Sequence, residues 1–460
     1  MTNLTDNLTD NLTDNLTDIT LTPHQNEAKE KVLKWFNNEE RSNPMFRLFG
    51  SAGTGKTTII KKIVEELKEN SLANHTNFNV MYGAYTGKAA MVMRQHGLNA
   101  YTIHKLIYRP IVPGSGKVDD LINQAISTEN KKEKKSLYKD IKEAGQVKFE
   151  LRSGDESMLA DCDLLVLDEC SMVDKDMLSD LLSFKVPILA LGDPSQLPPI
   201  EGQGAITLAE PDHLLLEIHR QSAENPILDF AHRAKNIIQI PFKRTEGRKE
   251  GEFAAKYWEH QVEAENFKYY DQVITGSNKS RRHINTIMRR HLGFVSNYPE
   301  IGDKLICLKN DHVMVPKVTA KDPDIEVPIY NGMIGQVVDV TDITQSLYIE
   351  LTIRFPAIDD EYLYPLQVKV LRSHFQAYTD PDAPNLVYYK QKEGLQEFDF
   401  GYAITVHKSQ GSQWESVLLY DDNFLAWKPK ERAQWLYTAI TRAQKNITIV
   451  TKKRKVSPNR

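Results

Sequence analysis

Gly50-Ser51-Ala52-Gly53-Thr54-Gly55-Lys56-Thr57-Thr58 is the stretch on which the reading of this chain turns. It follows Met45-Phe46-Arg47-Leu48-Phe49, an apolar run of strand length. It precedes Ile59-Ile60-Lys61-Lys62-Ile63-Val64-Glu65-Glu66-Leu67, whose apolar residues recur at helical spacing. Strand, glycine-rich loop and helix form the setting in which G-x-x-x-x-G-K-[ST] cradles phosphate groups. The glycines let backbone N–H groups turn inward, and the helix N-terminus adds the positive end of its dipole. Lys56 is expected on the β/γ-phosphates and the Thr57 hydroxyl on Mg²⁺. Gly50 to Thr58 therefore predict ATP or GTP binding.

The rest of the composition narrows the class. With 460 residues the chain has room for two to four domains, and 40% hydrophobic with 26% charged residues is ordinary globular material. A net charge of −4 argues against a uniformly basic nucleic-acid coat but leaves room for a local basic track. Cys162, Cys170 and Cys307 form no CxxC pair, so unpaired thiols are expected and a zinc site is not. No apolar run approaches the ~18 residues of a membrane span, and the N-terminus has no secretory pattern. The expected location is cytoplasmic, in the host cytoplasm if the source is a virus.

Along the chain, residues 3–18 repeat Asn-Leu-Thr-Asp four times, a low-complexity tail that cannot bury a core. Thr22-Pro23-His24-Gln25 reads as a helix start. Strands are expected near 78–84, at Leu164-Leu165-Val166-Leu167 and at Pro187-Ile188-Leu189-Ala190-Leu191. Residues 110–157 change character, with Pro/Gly breaks and many lysines, and read as an insertion. Around 225–260 a charged helical stretch is expected, and a second α/β set begins near Val273. Residues 310–395 alternate short β-like segments with turns, and the α/β pattern resumes after Gly401. Strands alternating with helices imply parallel sheets with functional residues at strand ends.

Several residues then take roles. Asp168-Glu169 ends an apolar strand; Asp168 suits the metal and Glu169 the attacking water. A solvated strand end is the bland alternative, and the phosphate loop upstream weighs against it. Gln196, in Gly192-Asp193-Pro194-Ser195-Gln196-Leu197-Pro198-Pro199, could sense the γ-phosphate or the water; a Pro-stiffened turn is the alternative. Arg220 and Arg442 are candidate finger arginines, although any single Arg is more often a surface residue. His104 and His407 sit in similar Thr-x-His-Lys clusters. They read as core histidines or, better, as groups that contact phosphates and stack on bases.

Taken together, these segments resemble the ordered motif set of superfamily 1 DNA helicases, in the RecD-like, 5′-to-3′ branch that includes the Dda type of T-even bacteriophages. Leu21-Thr22-Pro23-His24-Gln25 resembles the adenine-reading segment, which would put Gln25 on ATP. Ala84-Tyr85-Thr86-Gly87-Lys88-Ala89-Ala90, Thr102-Ile103-His104-Lys105-Leu106, Asp168-Glu169-Cys170-Ser171-Met172-Val173 and Gly192 to Pro199 follow in the family's order. So do Ile218-His219-Arg220-Gln221, Thr405-Val406-His407-Lys408-Ser409-Gln410-Gly411 and Tyr437-Thr438-Ala439-Ile440-Thr441-Arg442-Ala443. The resemblance spans residues 21 to 443. Tyr85 departs from the family's Pro, and no ribose-binding role is carried to Trp414-Glu415.

The resemblance implies a fold, a division and an activity. The fold is α/β, with two RecA-like parallel-sheet P-loop NTPase domains, each carrying a small insertion. After the 1–20 tail, the first domain (1A) takes 21–109 and 158–224, with insertion 1B at 110–157. The second (2A) takes 225–309 and 396–460, with an SH3-like insertion 2B at 310–395. Lys56, Asp168, Glu169, Gln196, Arg220 and Arg442 would be catalytic. Thr86, Lys88, Thr102, His104, Thr405, His407 and Lys408 would contact DNA. Phe149 is picked as the aromatic tip of a strand-separating pin. ATP and Mg²⁺ are the implied cofactors, with Thr57 and Asp168 on the metal. Single-stranded, fork and duplex DNA are the partners, with a single-stranded-DNA-binding protein as a further one, and the protein acts as a monomer away from membranes. The implied activity is ATP-dependent 5′-to-3′ translocation and unwinding, in replication, recombination or repair. The competing reading is a nucleic-acid-stimulated NTPase that remodels protein–DNA complexes without processive unwinding.

Overall fold

The computed structural model describes residues 20–95, 97–111, 124, 148–198, 204–216, 225–237, 254–258, 267, 269–315, 325–345, 347–355, 365–379, 394–422 and 428–451. The Asn-Leu-Thr-Asp repeat, Arg220 with its neighbours, and most of 110–157 lie outside them.

The chain opens with α1 (Pro23–Phe36). Thr22 caps it in a reciprocal box with Gln25, and Pro23 sits in the first turn where its missing N–H costs nothing. β1 (Met45–Gly50), α2 (Lys56–Ala73), β2 (Val80–Ala84), α3 (Gly87–Gln95), β3 (Ala100–Thr102) and α4 (Ile103–Ile107) follow. Next come β4 (Tyr108–Ile111), β5 (Lys148–Leu151), β6 (Leu164–Asp168), α5 (Lys175–Ser183), β7 (Ile188–Gly192) and β8 (His213–Leu215). Six of these strands form a parallel sheet in the order β3-β2-β6-β7-β1-β8. Because side chains alternate along a strand, each strand feeds two cores. Phe46, Leu48, Leu164, Val166, Leu189 and Leu191 pack against one face with α1 and α2 residues. Met45, Phe49, Leu165, Leu167, Ile188 and Ala190 pack on the other with α4 and α5 residues.

The second half holds α6 (Pro226–Lys235), β9 (Ala254–Trp258), β10 (Gln272–Thr275), α7 (Asn278–His291), β11 (Lys304–Cys307), β12 (Asp311–Val315) and β13 (Ile325–Ile329). Then come β14 (Ile334–Asp342), β15 (Tyr348–Arg354), β16 (Leu366–Leu371), α8 (Ser373–Gln376), β17 (Phe398–Phe400), β18 (Ala403–Thr405), α9 (Val406–Ser409), β19 (Trp414–Asp421), α10 (Pro429–Ile440) and β20 (Ala443–Thr451). A five-stranded parallel sheet runs β18-β10-β19-β20-β9. Among the described residues of the expected helical stretch at 225–260, helix covers α6. Ala254–Trp258 instead pairs with β20 at the sheet edge. Five residues are too few for periodicity to separate strand from helix, and pairing decides.

An antiparallel sheet, β16-β15-β14-β11-β17, carries the β-rich segment. Two of its members, β11 and β17, lie just outside 310–395. Leu305, Phe398 and Phe400, each 0–1% exposed, share a core with Val273 and Leu418 of the second parallel sheet. Buried pairs fasten the junction. Arg289 of α7 donates from Nε at 2.9 Å to fully buried Asp303, and Arg281 Nη1 donates at 2.6 Å to Asp399. The three cysteines are buried free thiols.

Candidate nucleotide site and nucleic-acid channel

β6, β7 and β1 are neighbours in the first sheet, so their C-terminal ends converge, where open parallel sheets bind ligands. β1 ends at Gly50, where a Cβ would stand 2.6 Å from Thr54 Oγ1 and 2.9 Å from Leu215 Cβ. Gly53 and Gly55 have φ of 82° and 80°, a region that side chains disfavour. Gly55 caps α2 without a side chain, so no side-chain oxygen takes up the first-turn N–H groups. Lys56 Nζ folds over the loop and donates to Gly50 O at 2.6 Å and Ser51 O at 3.1 Å. Gln25 is 3% exposed and its amide is committed: Nε2 donates to Thr54 O at 3.2 Å, while Oε1 accepts Thr22 N–H at 3.0 Å. It braces the loop from behind.

Asp168 ends β6, and burial together with Glu169 pushes its carboxyl up to about 6, opposed by nearby Lys56. Asp168 Oδ1 accepts the Glu169 N–H at 2.8 Å. Glu169 has φ 51° and ψ 43°, a left-handed backbone that costs a non-glycine residue about 1 kcal/mol or more and aims the strand end into a turn. After β7, Gln196 Oε1 is buried with no hydrogen-bond partner among the described residues, an acceptor awaiting a donor. A glycine cradle, a cation over it, two carboxylates and an orphaned amide oxygen fit a nucleoside triphosphate with its divalent cation.

The second parallel sheet reaches this site. Ala52 N–H donates to Tyr437 Oη at 2.9 Å, and the same hydroxyl donates to Asp193. Leu197 N–H donates to Thr438 Oγ1 at 2.9 Å, Gln410 Nε2 to Leu197 O at 3.1 Å, and Lys235 Nζ to Ser51 Oγ at 2.9 Å. Sequence reading gave no role to Tyr437, Thr438, Gln410 or Lys235. Their only signal was that three of them fall inside motif-like stretches. Arg442 lies within the second parallel-sheet half. It is 3% exposed, and its guanidinium donates to Thr438 O at 3.0 Å, Ser412 O at 3.3 Å and Thr441 Oγ1 at 3.2 Å, all on its own sheet's side.

A channel of about 600 Å³ runs beside these contacts. Tyr85, Thr86, Gly87, Lys88 and His104 line it from the first sheet, and Gly276 to Asn278, Thr405, His407, Lys408 and Gln410 from the second. Asn310, Asn331 and Gly332, from the turns before β12 and β14, complete it. Among the described residues, the lining holds two lysines, hydroxyls and amides, and no carboxylate. Lys88 Nζ lies 5.3 Å from the Trp414 ring centroid and donates to Gly332 O at 3.4 Å. Burial, helped by Lys304, pushes the Lys88 ammonium down to about 8. Lys408 Nζ donates to Asn331 Oδ1 at 2.7 Å and is also shifted down by burial. Burial lowers both His104 and His407, which favours neutral, stackable rings. Thr102 does not line the channel; its hydroxyl caps α4 by accepting Lys105 N–H at 3.2 Å.

Phe149 is half-exposed, its ring 5.0 Å from His104 and 6.3 Å from Tyr108. It pairs opposite Pro110 in the β4–β5 ribbon, beside the channel-lining His104.

An AAA domain family model matches residues 36–202, and a UvrD-like helicase C-terminal domain model matches residues 400–450. The uncharacterized protein R530 of Acanthamoeba polyphaga mimivirus is 23% identical over 529 residues, covering 92% of this chain and 98% of that protein. The ATP-dependent DNA helicase dda of Enterobacteria phage T4 is 23% identical over 480 residues, covering 94% and 99%. The ATP-dependent RecD2 DNA helicase of Deinococcus radiodurans is 25% identical over 428 residues, 86% of this chain but 45% of that protein, so the chain spans about half of RecD2. One domain model falls on each parallel sheet, in order, and the alignment to the dda helicase runs over nearly all of both chains, so this chain is similar to the superfamily 1 helicases on their RecD-like, Dda-like side.

Proposed function

We propose that this protein is an ATP-driven DNA helicase that moves 5′ to 3′ along single-stranded DNA and separates duplex ahead of it. One observation carries the reading. The loop holding Gln196 at the nucleotide site is hydrogen-bonded through Leu197 to Gln410, and Gln410 lines the channel between the two parallel sheets, beside Lys408. Nucleotide chemistry and strand position thus share one short chain of atoms. The direction of travel rests on the family resemblance.

Each residue has a part. Lys56 and the loop amides hold the phosphates. Thr57, whose residue is exposed beside the loop, and Asp168 are the groups to hold Mg²⁺, which when bound neutralises phosphate charge. Glu169 and the unpartnered Gln196 Oε1 orient the attacking water; its oxygen bonds the γ-phosphorus as the bond to the leaving ADP oxygen breaks. Lys88, Lys408 and the channel amides take the DNA backbone, which supports sequence-independent binding. The rings of Tyr85, His104, Tyr108 and Phe149 offer stacking surfaces worth about 1–3 kcal/mol per base, independent of sequence. Opening a base-pair step costs on average ~1.4 kcal/mol, less than a single stacked base at the upper end of that range returns.

The test is strand displacement on duplexes bearing one 5′ or one 3′ tail, with Lys56→Ala as control. Unwinding of the 5′-tailed substrate alone is expected, and Lys56→Ala should bind DNA yet hydrolyse no ATP. ATP hydrolysis without displacement on either substrate would favour the remodelling NTPase, and displacement of only the 3′-tailed duplex would overturn the polarity.

A further inference from the structure

Tyr437 is 2% exposed, and its hydroxyl meets two groups of the other domain at once. It donates to the Asp193 carboxylate and accepts the Ala52 N–H of the phosphate loop at 2.9 Å. Asp193 is 3% exposed, and its other described partner is Ser195 N–H at 2.9 Å. The next residue of α10, Thr438, accepts Leu197 N–H at 2.9 Å. Two consecutive residues of one helix therefore grip both ends of the 193–197 segment, and Gln196 lies between the grips. Where α10 stands decides where Gln196 Oε1 points.

We infer that Tyr437 is a positioning residue for ATP hydrolysis, through which the second domain sets Gln196 against the phosphate loop so that hydrolysis depends on how the domains are seated. This deepens the helicase reading and rests on it. When α10 moves away, Asp193 loses its hydroxyl donor, Ala52 N–H loses its acceptor, and Leu197 N–H loses Thr438. Buried groups tolerate such losses poorly, so the segment has a well-defined aligned state only with α10 in place. Gln410 ties Leu197 O to the channel side, so a bound strand that fixes Gln410 stabilises the same arrangement.

Tyr437→Phe keeps the ring and removes only the hydroxyl. Steady-state ATP hydrolysis with and without single-stranded DNA is the measurement, on the full chain, with thermal unfolding as a folding check. The DNA-stimulated kcat is expected to fall about ten- to hundredfold, the span carried by one hydrogen bond to a buried carboxylate. KM for ATP and single-stranded DNA affinity should change less than about threefold, because the hydroxyl is assigned to the reacting arrangement and not to ground-state binding. Asp193→Asn should give a similar loss, and the double variant should be no worse than either single, since the two groups act as one unit. Thr438→Val loosens the segment from its other end and should also lower the stimulated kcat. Wild-type stimulation in Tyr437→Phe, or losses that multiply in the double variant, would overturn the inference. A wild-type protein whose hydrolysis ignores DNA would instead overturn the helicase reading beneath it.

Discussion

Raising the pH should loosen this protein's hold on single-stranded DNA, and Lys88 sets most of the amount. Its ammonium is held at about 8 by burial and by Lys304, and it sits against the Trp414 ring and Gly332 O on the channel wall. A neutral amine cannot pair with a phosphate, so DNA binding must restore the proton. The sign follows: affinity is full below the free-protein value near 8 and falls as pH rises through it. The penalty factor is 1 plus ten to the power of pH minus pKa, about 11 at pH 9 against about 1.1 at pH 7, hence roughly tenfold weaker binding. Lys408 is also lowered by burial, against the opposing pull of Glu397, and adds its own loss. Lys88→Arg separates the two, because a guanidinium keeps its charge throughout this range. Anisotropy titrations of a labelled oligodeoxyadenylate at constant ionic strength, from pH 6.5 to 9.5, read the effect; adenine does not titrate there. The wild-type curve should drop about tenfold more than the Lys88→Arg curve between pH 7 and 9. Parallel curves would refute the assignment of Lys88 to the DNA-facing wall.

Other perturbations probe other parts. Gly87→Ala would place a Cβ 2.2 Å from the Tyr330 ring, expelling that ring and its 2.9 Å hydrogen bond from Arg94. With the Asn331–Gly332 turn displaced, stopped-flow dissociation of single-stranded DNA should speed up about five- to tenfold. Arg289→Met strands fully buried Asp303 without its guanidinium, and chemical unfolding should show a loss of about 3–5 kcal/mol; an unchanged midpoint would show the pair to be inert. Phe149→Ala removes a ring at the channel mouth, worth about 1–3 kcal/mol of stacking, so displacement should slow while DNA-stimulated hydrolysis persists. Equal loss of both activities would place Phe149 in the hydrolysis pathway.

Much of the fold was legible because its signals are local. The Gly50–Thr58 loop between an apolar strand and an amphipathic helix, the Thr22–Gln25 capping box, and the strand ends at Asp168 and Gly192 all reveal themselves within windows of about ten residues. Where windows are too short the reading slipped, as at Ala254–Trp258, whose strand identity comes from pairing with β20. The limits of the β-rich segment slipped for the same reason: β11 and β17 join the antiparallel sheet through partners far along the chain.

By itself, then, the sequence determined the phosphate loop, the strand-end carboxylates and the order of the motifs, since backbone hydrogen bonding and hydrophobic periodicity act between near neighbours. Tertiary structure decided the rest. Gln25 Nε2 meets Thr54 O of the loop, and Arg442 donates to Thr438 O and Ser412 O. Lys88 owes its shift to a wall built from three segments. Tyr437 meets Asp193 across 244 residues, a contact that exists only because two separately folded sheets present complementary buried donors and acceptors to one cleft.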